Sequence, residues 1–190
     1  MNQALIFLLE TFLGLFALAL LLRFYLQAVR APARNPLSQF LAALTDFMVL
    51  PARRFIPGLW GYDMSTLLLA WAVEVLLTVS IRATGGFEMG PTVGTAIAGL
   101  ILLAVVNLLK RFLYILMVAV IAQAVLSWVN PRSPAMSVLV SLTRPFLRPF
   151  QRRIPPVGGV DLSPLLVLVL CQLLLLWPVA PLILTISRML

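Results

Sequence analysis

The 190-residue chain has no histidine, one cysteine and six acidic residues. Without imidazole there is no ordinary group to relay a proton near neutral pH or to ligate haem, and one thiol builds neither a disulfide framework nor a cysteine metal site. That thiol, Cys171, lies inside an apolar run and reads as a small lipid- or helix-facing residue. Charge is also scarce: 11% of residues are charged against 62% apolar, and mean hydropathy is +1.08. Runs such as 5–22 and 165–177 carry one charge or none. A water-soluble core is thereby excluded, and the chain is read as an integral membrane protein. No nucleophile, base and orienting group fall together, so no catalytic residue, cofactor or metal site is expected.

What charge there is sets the topology. The net charge of +8 is carried almost wholly by arginine. Arg30, Arg34, Arg53 and Arg54 fall between the first two apolar runs, and Arg132, Arg144, Arg148, Arg152 and Arg153 between the last two. The positive-inside rule puts both basic segments in the cytoplasm, which favours four spans over five. Those spans are expected near 4–29, 65–81, 108–129 and 164–186, each about the 20 residues a crossing needs. The first lacks a basic start, contains Glu10 and runs on into Arg23, so it reads as a retained span. Lys110 and Arg111 are then expected to snorkel at the outer interface. The apolar stretch 92–107 either extends the third helix, lies in the interface, or dips in and returns.

The sequence repeats an unusual segment. Asn35-Pro36, Leu44-Thr45, Pro51, Arg53-Arg54, Pro57, Gly61, Asp63 and Ser65 recur as Asn130-Pro131, Leu142-Thr143, Pro149, Arg152-Arg153, Pro156, Gly159, Asp161 and Ser163, mostly 98 residues apart. The spacing implies a parallel duplication, with one copy in 1–86 and a second in 87–190. Each copy predicts a transmembrane helix, a short amphipathic helix, a Pro/Arg-rich loop and a second transmembrane helix. Asn35 with Pro36, and Ser133 with Pro134, start the amphipathic helices. Leu37, Phe40, Leu41 and Leu44, and then Ala135, Val138, Leu139 and Leu142, give each its apolar stripe. Beyond the stripe, prolines predict an extended or turning backbone that displays Arg53, Arg54, Arg148, Arg152 and Arg153. Guanidinium groups suit phosphate, and basic residues beside a span gain about 1 kcal/mol each from an anionic leaflet. Anionic membrane lipid or the acidic surface of a membrane-protein partner is therefore the expected ligand, with self-association left open. Nucleic acid is not expected, because the segments are short and lack interleaved aromatics. Gly158 and Gly159 supply a turn, Ser65 and Ser163 read as caps of the following spans, and Asp63 and Asp161 either favour the positive helix ends or bridge to the Arg pair. Two polar residues lie within spans: Glu74, near the bilayer middle and in need of an arginine or backbone partner, and its counterpart Gln172. Arg23 can reach the interface or Glu74, and the interface is the preferred reading.

The strings NPLSQFLAALTDFMVLPARRFIP with its trailing YDMS, and SLTRPFLRPFQRRIPPVGGVDLSP, resemble the two signature copies of the YggT family, also called YlmG. The resemblance implies a small multi-pass protein of the bacterial inner membrane, with relatives in plastids, tied to osmotic or salt tolerance, envelope assembly and cytochrome maturation. The first copy departs from the pattern at Asp46-Phe47, where the second has Arg144-Pro145, and at Thr66, where it has Pro164. Two functions follow as expectations. One is a non-enzymatic scaffold for assembly or stress tolerance whose Pro-Arg segments bind lipid or a partner; the other is a small channel or transporter component.

Overall fold

The computed structural model describes residues 2–32, 35–59, 61–84, 93–154 and 161–189. Helix is the only extended regular structure among them: α1 (Asn2–Ala28), α2 (Pro36–Phe55), α3 (Met64–Thr84), α4 (Val93–Val129), α5 (Pro134–Gln151), α6 (Ser163–Leu174) and α7 (Ala180–Met189). A single wide turn, Leu175–Val179, joins α6 to α7. Four stretches are long and apolar enough to cross a membrane: Gln3–Ala28, Met64–Thr84, Ala96–Val129 and Ser163–Arg188. The fold is thus all-α with four candidate spans, and the order long helix, amphipathic helix, long helix occurs twice along the chain.

Local chemistry sets the helix starts. Asn35 Oδ1 accepts from the Ser38 N–H at 2.8 Å and Ser133 Oγ from the Ala135 N–H at 3.3 Å, each just ahead of a proline whose missing N–H leaves nothing unpaired there. At α3 and α6 the sequence reading needs correction. Ser65 lies inside α3 and Ser163 opens α6; the acceptors are the carboxylates of Asp63 and Asp161, which take the Thr66 N–H at 3.4 Å and the Ser163 N–H at 2.8 Å. A full negative charge meets the positive helix end better than a hydroxyl dipole does. Gly158 and Gly159 lie outside the described residues.

The Pro-Arg segments are corrected as well. They are not extended: α2 continues through Pro51 to Arg53 and Arg54, and α5 through Pro145 and Pro149 to Gln151. Proline removes one hydrogen bond per site, and all three prolines sit on exposed positions, where a freed carbonyl can be hydrated at a membrane surface. The stripe also turns out narrower than its spacing suggests. Leu41, Thr45 and Val49 face the bundle, as do Val138, Leu142 and Leu147, whereas Phe40 and Leu44 are exposed. Of the three options for 92–107, the structure takes the first. Residues 93–107 extend the third span into one 37-residue helix, about 55 Å long, because nothing after Gly99 interrupts it.

Both amphipathic helices lie under the same end of the bundle. The Tyr25 hydroxyl at the end of α1 donates to the Leu142 carbonyl of α5, and its ring meets Phe112 of α4 edge-on at 5.0 Å. Phe112 in turn contacts Phe146 of α5 at 6.0 Å. In lipid, burial against other apolar groups drives little, so interlocking contacts of this kind, about 0.5–1.5 kcal/mol per aromatic pair, carry the association. One buried cluster, with Leu20, Val73, Ile115 and Leu142, draws on α1 to α5, and a second, with Leu116, Leu147, Val167 and Val179, joins α4 and α5 to the last span.

Candidate functional site

Arg144 and Arg148 on α5 and Arg152, which caps its end in helical conformation, recur every fourth residue, so they form one row down the helix face. Arg153 follows, and Arg30 approaches from the end of α1; the five line a cleft of about 860 Å³ with Pro145 and Pro149. Among the described residues none of the five makes a side-chain hydrogen bond or ion pair, and no carboxylate lines the cleft. Like charges four apart disfavour a helix by about 0.2–0.5 kcal/mol per pair, so this row is unfavourable until an anion fills it.

Arg30 was not singled out from sequence, and its backbone explains its position. The Ala31 N–H bonds to the Leu26 carbonyl at 2.9 Å and the Arg30 N–H to that of Gln27 at 3.0 Å, the double closure that ends helices with a left-handed residue. Arg30 holds that place at φ 53°, where glycine is the unstrained choice. The signal in the sequence was the lack of glycine after a long helix.

In the first half two of the arginines near the corresponding positions are neutralised. Asp46, at the position equivalent to Arg144, pairs with Arg23 at 2.7 Å, and the Arg23 guanidinium also donates to Thr45 Oγ1 at 2.6 Å. Arg23 therefore does not reach Glu74; it is held by α2 through Asp46 and Thr45. Arg53 donates through Nε to Asp63 Oδ2 at 3.1 Å, while Arg54 stays exposed. Burial alone would raise the Asp63 pKa, but hydrogen bonds from Arg53, Ser65 and Thr66 outweigh it and hold the carboxyl at about 2. Ninety-eight residues on, Gln151 donates to Asp161 Oδ2 at 2.8 Å. Burial raises the Asp161 pKa too, and hydrogen bonds from Ser163 and Gln151 bring it below the usual value. Gln151 thus occupies the place of Arg53, and Arg152 that of Arg54. This shift frees the second arginine group for the cleft.

A second polar site lies at mid-span. Glu74 is the central residue of α3 and Arg111 that of α4; Arg111 Nε donates to Glu74 Oε2 at 2.7 Å, and Nη2 to Oε1 at 3.5 Å. Arg111 is therefore not an interfacial residue. The 16 residues of α4 before Leu109 move it to the helix centre, and its Nη1 also donates to the Gly14 carbonyl of α1 at 3.4 Å. A Cβ at residue 14 would lie 3.3 Å from the guanidinium, so any larger residue there would push Arg111 back by a few tenths of an ångström. The pair lines a crevice of about 470 Å³ together with Glu10, Asn107, Lys110 and Tyr114. Gln172 does not join it; it is exposed on α6 with no side-chain partner among the described residues. Those residues also contain no cluster of His, Cys, Asp or Glu able to hold a metal ion.

Four apolar spans, two amphipathic helices under one end and polar sites at that end and at mid-span define a polytopic α-helical membrane protein. The chain belongs to the CCB3/YggT family, which it matches over residues 2–84 and 102–182. It is 38% identical over 167 residues to the uncharacterized protein PA0392 of Pseudomonas aeruginosa, covering 87% of this chain and 83% of that one. It is 34% identical over 169 residues to the uncharacterized protein YggT of Escherichia coli K12, covering 88% and 85%. Over 74 residues it is 40% identical to YlmG homolog protein 2, chloroplastic, of Arabidopsis thaliana, covering 38% and 28%. No solved structure matches it.

Proposed function

We propose that the chain is a non-enzymatic scaffold of a bacterial inner membrane, and that its α1–α5 cleft grips the phosphate headgroups of anionic lipid on the cytoplasmic face. The observation that carries this reading is the convergence of Arg30, Arg144, Arg148, Arg152 and Arg153 on one cleft with no acidic counter-charge. Guanidinium binds phosphate in bidentate fashion, and the row lies on a helix that runs along the bundle end, at the depth of headgroups. A scaffold so anchored suits envelope assembly or tolerance of osmotic stress, where a membrane protein must be held in a defined lipid environment.

The test is binding of phosphatidylglycerol or cardiolipin against phosphatidylcholine in nanodiscs, for the native chain and for Arg144→Gln/Arg148→Gln/Arg152→Gln. At about 1 kcal/mol per residue the triple variant loses roughly two orders of magnitude in preference. Equal preference before and after substitution defeats the reading, and so does a photoreactive group near Arg153 that captures a protein in place of lipid. A second reading, a channel or transport component, draws support from the crevice that reaches the Glu74–Arg111 pair. Glu74→Gln separates the two: the scaffold keeps its activity, whereas a transport pathway loses it.

A further inference from the structure

The last span is broken near the middle. Trp177 has φ −151° and ψ 101°, and Pro178 offers no N–H to the Leu174 carbonyl. Counting from Ser163, Gln172 lies about 14 Å and Trp177 about 21 Å into a hydrocarbon core of about 30 Å. Both are exposed, Trp177 to 80%, and neither the Gln172 amide nor the indole N–H has a partner among the described residues. Of the four spans this one is also the least buried within the molecule. Irregular backbone and unpaired amides do not persist against lipid tails, because nothing there accepts or donates a hydrogen bond; they persist where protein covers them.

What covers this face follows from its pattern. Leu165, Val169, Gln172 and Leu176 are exposed and spaced four, three and four apart, the seam spacing of a left-handed helix pair. Copies of one chain share one membrane orientation, so a two-fold pair has its axis along the membrane normal and each seam residue meets its own copy. Gln172 is suited to that meeting, since its amide both donates and accepts and so complements itself. We infer that the broken fourth span is a dimerisation face for a second copy of this chain, closed at mid-membrane by a Gln172–Gln172 hydrogen-bond pair that also shelters the Trp177–Pro178 break.

The test uses the full chain in lipid bilayers with Cys171→Ala as background. Leu176→Cys and Val169→Cys, oxidised with copper phenanthroline, are expected to give a dimer of twice 20.9 kDa. Phe12→Cys, exposed to 71% on α1, is the control and is expected to stay monomeric. Adding Gln172→Leu to Leu176→Cys is expected to weaken dimerisation about tenfold in a dilution series in lipid, and Gln172→Asn to restore most of it. Circular dichroism confirms that each variant folds. The inference is overturned if the seam cysteines crosslink no better than the control, if they crosslink to a different protein, or if Gln172→Leu dimerises like the parent.

Discussion

Arg30→Gly is expected to make this protein more stable and worse at holding anionic lipid. A side chain in the left-handed region costs about 1–2 kcal/mol relative to glycine, and Arg30 sits there at φ 53°. Glycine returns about 0.5–1 kcal/mol of that through the greater freedom of the unfolded chain. The net gain is about 0.5–1 kcal/mol, and removing one of five mutually repelling cations adds to it. In the cleft the same change deletes one guanidinium, worth about 1 kcal/mol or fivefold in affinity. Stability is read from unfolding in graded mixed micelles, and affinity from the retention of phosphatidylglycerol by native mass spectrometry. Arg30→Lys separates the two effects, since it keeps the strain and the charge but gives up the bidentate fork, and should leave stability nearly unchanged while weakening lipid retention less than Arg30→Gly does. If Arg30→Gly unfolds more readily than the parent, the conformation at residue 30 stores no strain. If it retains lipid undiminished, Arg30 is not part of the binding site.

Other expectations follow from the buried charges. Arg111→Met strands Glu74, whose side chain is 2% exposed, and should destabilise by about 3–5 kcal/mol, whereas Glu74→Gln/Arg111→Met should recover most of the loss; equal damage in both would place the pair in a wetter site. Asp63 has a folded-state pKa of about 2 against 3.8, so its contribution is complete above the higher value and disappears as pH falls through the lower. Asp63→Asn should therefore cost about 1–2 kcal/mol near neutral pH, and the difference should shrink from pH about 4 downward and be mostly gone once pH reaches about 2, as read from paired denaturation curves. In intact cells a membrane-impermeant maleimide should label Asn107→Cys in the crevice and miss Arg152→Cys in the cleft; labelling of the latter from outside would invert the orientation.

Hydropathy settled the class, because a bilayer demands apolar stretches of fixed length whatever their tertiary partners, and the placement of arginine favoured the four spans that the structure has. The amphipathic helices were legible from capping and stripe, though not their ends. Proline in sequence signals a helix break, yet at Pro51, Pro145 and Pro149 the loss of one hydrogen bond on an exposed face does not stop the helix. Arg148, Arg152 and Arg153 are legible as displayed cations on the repeated segment; the place of Arg30 in the cleft depends on a backbone angle that sequence signals only through the missing glycine.

Sequence by itself determined that the protein lives in a membrane, that its basic segments fall on alternate connections, and that Glu74 needs an arginine or backbone partner. Which cation was a matter for tertiary structure, which rejected the near candidate Arg23 in favour of Arg111, 37 residues along the chain. Tertiary structure likewise decided that Arg53 is spent on Asp63 while Arg152 is left over for the cleft. The reason is common to both: charge type and spacing are one-dimensional, but in low dielectric a partner within about 3 Å dominates the energy, and only packing decides which helices bring their charges that close.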